Sequence, residues 1–248
     1  MELINLLLYK REDLKEIFSQ KADYYGNFSY LFMPQKKCVN DKICLVAHID
    51  TVFDYWNENG NKHILYNSKK KIYTSPQGLG ADDRAGVYAC LKIREITGAM
   101  VLLTDYEENG AFGAEEACVL YKDIFKNVNF FIEIDRKGNR EAVYYNNEPQ
   151  YFKDYINSFG FQEKRGIFTD ISVICKTLNK LGVNLSAGYY NPHAIYEFLN
   201  VSHLENTIKN VIKIVNDSYN FKICHRKKWI NDKICLVAHN VIDYIFLD

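Results

Sequence analysis

The chain has 248 residues, 48% of them hydrophobic and 25% charged, which suits one globular domain with a sizeable core. Basic and acidic residues both number 31, so the formal net charge is zero and nothing argues for nucleic acid or an anionic membrane as partner. No apolar run reaches the length of a membrane span. The start, Met1-Glu2-Leu3-Ile4-Asn5-Leu6-Leu7-Leu8-Tyr9, lacks a basic segment and reads as a helix rather than a signal peptide.

After N-terminal helices, strands are predicted near 27–33, 42–48, 63–66 and 71–74, with Lys69-Lys70-Lys71 as a hairpin turn. A helix near 83–97, a strand over 100–104, a helix near 112–123 and a strand over 129–134 follow. A strand at 141–145, helices near 149–159 and 169–180, a strand over 182–187 and a long helix over 202–216 complete the order. Ser202 caps the last of these, with Glu205 three residues on. Strands alternating with helices predict an α/β protein. Seven cysteines, odd in number and without C-x-x-C spacing, predict a reducing, cytoplasmic setting and buried thiols, among them Cys44, Cys90 and Cys118.

The chemistry gathers where apolar segments end. Ile43-Cys44-Leu45-Val46-Ala47 is apolar throughout, as a strand covered on both faces must be, and it runs into His48-Ile49-Asp50. On extended backbone His48 and Asp50 project to the same side, so Asp50 can take one imidazole N–H and leave the other nitrogen free to bind metal. Taken alone, such a histidine is more often a hydrogen-bonded core residue than a ligand.

Four more clusters follow. Gly78-Leu79-Gly80-Ala81-Asp82-Asp83-Arg84-Ala85-Gly86 places Asp82 at the mouth of an amphipathic helix, with Asp83 as an N-cap candidate. Glu107 and Glu108 leave the strand over 100–104, where one acid can bind metal and its neighbour act as general base. Glu115 and Glu116 read as first-turn acids suited to a helix dipole. Asp135 follows Ile132-Glu133-Ile134, and His193 follows Tyr189-Tyr190-Asn191-Pro192, at what reads as another strand exit. His48, Asp82, Glu108, Asp135 and His193 together supply two imidazoles and three carboxylates. That set suits two zinc-class divalent ions if one carboxylate bridges them.

In their order, His48-Ile49-Asp50, Gly80 through Gly86, Glu107-Glu108-Asn109-Gly110, Asp135 and Asn191-Pro192-His193 resemble the dinuclear zinc exopeptidases. That family includes peptidase T, zinc aminopeptidases and related deacylases, and the resemblance covers roughly residues 40 to 215. It implies a three-layer α/β/α sandwich with a mixed, mostly parallel central sheet. It implies that His48 and Asp135 hold one ion, Glu108 and His193 the other, and that Asp82 bridges them. The ions would be zinc, with cobalt or manganese as alternatives. Glu107 would be the general base and Asp50 the partner of His48. A cis peptide often follows the bridging aspartate in the family, here Asp82-Asp83. Tyr189 and Tyr190 are candidates to steady a developing oxyanion, although packing is the commoner use of tyrosine. Asp170, in Phe168-Thr169-Asp170-Ile171, is a candidate substrate contact, with an N-cap as the commoner role.

Larger members of the family insert a separate domain. Here 57 residues lie between Asp135 and His193, and 33 between His48 and Asp82, too few for one. A single catalytic domain over 1–220 without a lid is expected, followed by an extension over 221–248. Groups that an insert would supply must come from local loops, from another subunit of a homo-oligomer, or not at all. The expected activity is hydrolysis of peptide bonds by an aminopeptidase. The alternatives are a deacylase acting on N-acyl amino acids, and an inactive relative that binds metal or peptide, against which the retention of Glu107 argues.

Within the extension, Asn231 through His239 repeats Asn40 through His48 without a change. The second copy continues Asn240-Val241 and so lacks the aspartate two residues after the histidine, which makes His239 a non-ligand. As a strand it would add to a sheet edge or compete with the first copy.

Overall fold

A computed structural model describes residues 1–36, 42–54 and 62–217. The extension and its repeat lie outside the described residues. In chain order the elements are α1 (Leu3–Leu8), α2 (Arg11–Lys21), β1 (Tyr24–Tyr25), β2 (Ser29–Phe32), β3 (Ile43–His48), β4 (Leu65–Asn67) and β5 (Ile72–Thr74). Next come α3 (Ala81–Thr97), β6 (Met100–Thr104), α4 (Phe112–Leu120), α5 (Lys122–Phe125), β7 (Phe130–Arg136) and β8 (Glu141–Val143). They are followed by α6 (Gln150–Asn157), β9 (Gln162–Lys164), α7 (Asp170–Leu178), β10 (Leu181–Ser186), β11 (Tyr189–Tyr190) and β12 (Phe198–Asn200). A helix over 201–217, α8, ends the described chain.

Eight strands form the main sheet in the order β1-β2-β6-β3-β7-β10-β8-β9. Its centre, β6-β3-β7-β10, is parallel; β2 and β8 pair antiparallel to their inner neighbours. Alternation along β3 shows why an unbroken apolar strand is needed there. Ile43, Leu45 and Ala47 face a core shared with α1, α2, α3, α6 and α8, while Cys44 and Val46 face a second core shared with α4, α5 and α7. The result is the expected three-layer α/β/α sandwich with a mixed, mostly parallel sheet. Cys44, Cys90, Cys118 and Cys175 are buried free thiols within it.

Three departures from the sequence reading have local causes. Residues 112–123 form two helices, because Tyr121 leaves helical geometry between α4 and α5. The strands around Lys69-Lys70-Lys71 do make a hairpin, but they join β11 and β12 in a separate four-stranded sheet, β11-β12-β5-β4. Glu116 does more than complement a helix dipole. Its carboxylate accepts the Asn27 and Phe28 N–H groups at 2.8 and 2.9 Å and the Ser29 hydroxyl at 2.6 Å, fixing the turn into β2.

Helix α3 packs so closely on β7 that one position tolerates no side chain. A Cβ on Gly86 would stand 2.0 Å from the Ile134 carbonyl oxygen and 2.3 Å from the Asp83 carboxylate. Alanine is the better helix former by about 1 kcal/mol, yet overpacking costs about 1–3 kcal/mol or more. Gly86→Ala is therefore expected to lower the unfolding free energy in a urea titration; an unchanged or raised midpoint contradicts this packing.

Candidate active site at the carboxyl edge of the sheet

The carboxyl ends of β6, β3 and β7 lie side by side, so their exits meet in one place. His48 ends β3, Asp135 stands near the end of β7, and Glu107 and Glu108 follow β6. Asp82 comes from the start of α3, which is irregular: Asp82 and Asp83 leave helical angles and are joined by the expected cis peptide. Gly80 holds the N-cap position of α3, and Asp83, inside the irregular first turn, caps only the regular helix beyond the kink, its carboxylate accepting the Gly86 N–H at 3.0 Å. His193 is not at the exit of β10. It sits on the loop between β11 and β12, in left-handed backbone geometry with φ of 61°.

Five of the predicted residues come together. His48 Nε2 lies 3.5 Å from both Asp82 Oδ1 and Asp135 Oδ1. His193 Nε2 lies 3.3 Å from Asp82 Oδ2 and 3.1 Å from Glu108 Oε2. The two oxygens of Asp82 thus face different histidines. Two donors held 2.0–2.1 Å from one tetrahedral zinc stand roughly 3.3 Å apart, so both sets, His48-Asp82-Asp135 and Asp82-Glu108-His193, have the spacing of metal ligands. The other Glu108 oxygen, Oε1, is buried without a hydrogen-bond partner, as an unfilled ligand position would be. The donor chemistry and spacing fit two zinc-class ions.

The surroundings aim these side chains. His48 Nδ1 faces Asp50, 3.0 Å from its carbonyl oxygen and 3.3 Å from Oδ1, which turns Nε2 towards Asp82 and Asp135. The Asp50 carboxylate also accepts the Glu107 and Glu108 N–H groups at 3.1 and 3.2 Å, so one residue orients a histidine and the acidic pair together. Behind the acidic pair, Arg11 makes a buried two-pronged contact to Asp105 at 2.7 and 2.9 Å and stacks on Tyr106. Thr169, the N-cap of α7, bridges Glu133 and Asp135 through its hydroxyl at 2.7 and 2.9 Å.

The remaining candidates fall differently. Tyr189 lines the cleft, but its hydroxyl is donated to Asp135, 2.9 Å from Oδ1 and 3.0 Å from the carbonyl oxygen, so it holds Asp135 rather than an oxyanion. Tyr190 turns away to His203 Nδ1 at 2.8 Å and stacks on Phe198. Asp170 is fully buried with Thr104 donating to its carboxylate, out of reach of substrate. Nor is it an N-cap, since Thr169 holds that position. One residue escaped the sequence reading altogether. Glu197 is fully buried, and its carboxylate accepts the Gly80 N–H at 2.7 Å and the Asp82 N–H at 2.9 Å. Its only trace in the sequence is a position four residues after His193.

The cleft encloses about 200 Å³ and is lined by Asp82, Glu107, Asp135, Lys137, Phe168, Tyr189, Pro192 and His193, among others. Its electrostatics are those of crowded acids. Burial, reinforced by Asp135, Asp170 and Glu108, pushes Glu107 up to about 9 despite His48. Burial and repulsion from Asp82 push Asp135 up to about 6. Burial raises Asp170 to about 7. Burial would also raise Asp82, but hydrogen bonds from His193 and His48 outweigh it and hold the carboxyl below the usual range. The carboxylates of Asp82 and Glu108 raise His193 to about 10.

No protein-family model matches the chain, and none of the curated proteins does. Solved structures do. A tripeptidase from Staphylococcus aureus superposes with a TM-score of 0.65 at 14% identity, over 86% of this chain and 95% of the other. Aminopeptidase PepT from Bacillus cereus gives 0.62 at 14% identity, over 86% and 96%. The TET1 peptidase of Pyrococcus horikoshii, which can assemble into a tetrahedron or a large octahedral shell, gives 0.60 at 13% identity, over 86% and 99%. The fold is that of these peptidases. Among the described residues no helix is long and apolar enough to cross a membrane.

The shifts fix a pH dependence. Asp135, Asp170 and Glu107 keep protons in the folded chain up to about 6, 7 and 9, whereas unfolded carboxyls lose them near 3.8 to 4.5. The folded state then binds more protons, so their contribution to stability falls as pH rises from about 4 through 9. His193 acts in the same direction: its ion pairs contribute fully below 6.5 and are lost as pH passes about 10. Divalent ions held by these donors would bind the deprotonated forms and offset that loss. The rise in melting temperature on adding Zn²⁺ to chelator-treated protein should be larger at pH 8 than at pH 6. An equal or reversed difference contradicts this assignment.

Proposed function

We propose that the chain is a metal-dependent exopeptidase, an aminopeptidase with two zinc-class ions and Glu107 as general base. The observation that carries the reading is the pair of three-donor sets sharing Asp82, at ligand spacing, beside Glu107 in one cleft. His48 and Asp135 would hold one ion, Glu108 and His193 the other, and Asp82 both; cobalt or manganese would suit the same donors. Bound there, divalent ions acidify water and polarise a carbonyl.

The residues of the chain supply the rest. Three carboxylate ligands, with Asp50 oriented behind them, offset most of the charge of two dications in a partly buried site. Glu107, partly buried at the same cleft, takes the proton of the attacking water. Its raised affinity for protons suits it to hold that proton and pass it to the leaving amine. Nearby cations would lower that affinity towards neutral pH. Phe168 and Pro192 give the cleft an apolar margin where a substrate side chain can lie.

One observation favours the second reading, a deacylase of N-acyl amino acids. Lys137 is exposed, lines the cleft, and shows no ion pair among the described residues, so it could meet a free carboxylate. Its neighbour Arg136 is held by Glu141 at 2.8 Å.

Metal content and hydrolysis of aminoacyl anilides and of N-acyl amino acids with a free carboxylate, by wild type and Glu107→Gln, test these readings together. The proposal expects two ions in both proteins, aminoacyl hydrolysis by wild type, and a loss of roughly a hundredfold to ten-thousandfold in the variant. Hydrolysis of the N-acyl panel alone moves the assignment to the deacylase. Full metal occupancy with neither panel cleaved sinks the catalytic claim.

A further inference from the structure

The loop between β11 and β12 carries two acidic or imidazole groups that reach back across the fold, and only one of them is a candidate ligand. His193 meets Asp82 and Glu108. Four residues later Glu197, without exposed surface, places its carboxylate against the Gly80-Ala81-Asp82 turn. Both oxygens are used, one for the Gly80 N–H and one for the Asp82 N–H, which fixes the turn against rotation as a single contact could not. Lys62 grips the same turn from its carbonyl side, its ammonium 2.6 Å from the Leu79 carbonyl oxygen. Gly80 takes φ of 63°, and a Cβ there would come within 2.9 Å of the Thr51 hydroxyl, so the turn is narrow as well as held.

We infer that Glu197 is a positioning residue that makes the Asp82-Glu108-His193 site possible, by locking the Asp82 turn and the His193 loop to each other. The inference rests on the metal-centre reading of the same residues. The two halves of the centre are not equally dependent on Glu197. His48 and Asp135 stand at the ends of central strands and are separately fixed, His48 by Asp50 and Asp135 by Thr169 and Tyr189. Glu108 and His193 lie on loops, and His193 holds a left-handed backbone, uncommon for a residue other than glycine. Within that loop the Glu197 N–H is donated to the Ala194 carbonyl oxygen at 2.8 Å, so the carboxylate anchors the turn that presents His193. Releasing Glu197 frees two of the three donors of the outer site, Asp82 and His193, but only one donor of the inner site.

Glu197→Gln keeps the shape and removes one acceptor: its amide NH₂ must face a backbone N–H, donor against donor. Titration of the metal-free full chain with Co²⁺, followed by visible absorption and by calorimetry, reads the two sites separately. Wild type is expected to take two ions. Glu197→Gln should bind the second at least tenfold more weakly while the first changes less than threefold, with Glu197→Ala more severe at the same site. Thermal melts of the metal-free variants establish that they fold. Equal weakening of both ions, or two ions bound as in wild type with only the melting temperature lowered, overturns the inference and leaves the metal centre standing. A folded wild type that takes no cobalt overturns both.

Discussion

The constraint on which the rest of this molecule depends is the crowding of carboxylates at the carboxyl edge of a sheet that excludes water. Asp50, Asp82, Asp83, Glu133, Asp170 and Glu197 are all buried there, with His48 among them. Isolated buried charges of one sign are costly, and the protein answers in two different ways. Some of the acids accept backbone N–H groups: Asp50 those of Glu107 and Glu108, Asp83 that of Gly86, and Glu197 those of Gly80 and Asp82, although burial still raises the proton affinity of Asp83 and Glu197. The others, Asp82, Glu108 and Asp135, face histidine nitrogens at distances suited to a shared cation. The division is functional in form. Acids with backbone partners hold the frame, as do Glu133 and Asp170 through the hydroxyls of Thr169 and Thr104, and the acids opposite the histidines face the cleft.

That division follows from topology. Parallel strands deliver their exits to one edge, and β6, β3 and β7 are neighbours, so His48, Asp135 and the Glu107-Glu108 pair meet with no long loop. The antiparallel small sheet exists beside this edge and contributes what parallel strands cannot, a hairpin that folds back over the site with His193 at its tip. The inner half of the site is therefore built on rigid strand ends, and the outer half on loops tied down by tertiary contacts.

Legibility in the sequence tracks the same difference. β3, β6 and most of β7 announce themselves as apolar runs, and the acids and imidazole at their ends can be counted from the chain. What could not be read was pairing across long separations. Tyr189 looks like a free hydroxyl until its contact with Asp135 is known, and Tyr190 looks equivalent to it although the alternation of a strand sends it to the opposite face. Asp170 and Thr169 are adjacent, and either could cap α7 by residue type; burial of Asp170 against Thr104 decides it. Glu116 and Glu197 carry no local signal, because each acts on backbone N–H groups at least 88 residues away. Short strands of two or three residues, such as β9 and β11, are too brief for periodicity to show.

The repeated nonapeptide shows where the information for the site resides. Its first copy contributes the whole of β3, including His48, and β3 lies in the middle of the main sheet with both faces covered. The second copy has the same strand-forming residues and the same histidine, but Val241 stands where Asp50 would be. Asp50 turns His48 Nε2 towards its partners and accepts the N–H groups of both Glu107 and Glu108. A valine there offers no acceptor, so the imidazole would lose the carboxylate partner that helps orient it and the acidic pair would lose its backbone anchor. A strand that buries well and ends in histidine is thus insufficient for this site. The residue two positions beyond it joins the β3 exit to the β6 exit, and with it the fold acquires a place for chemistry.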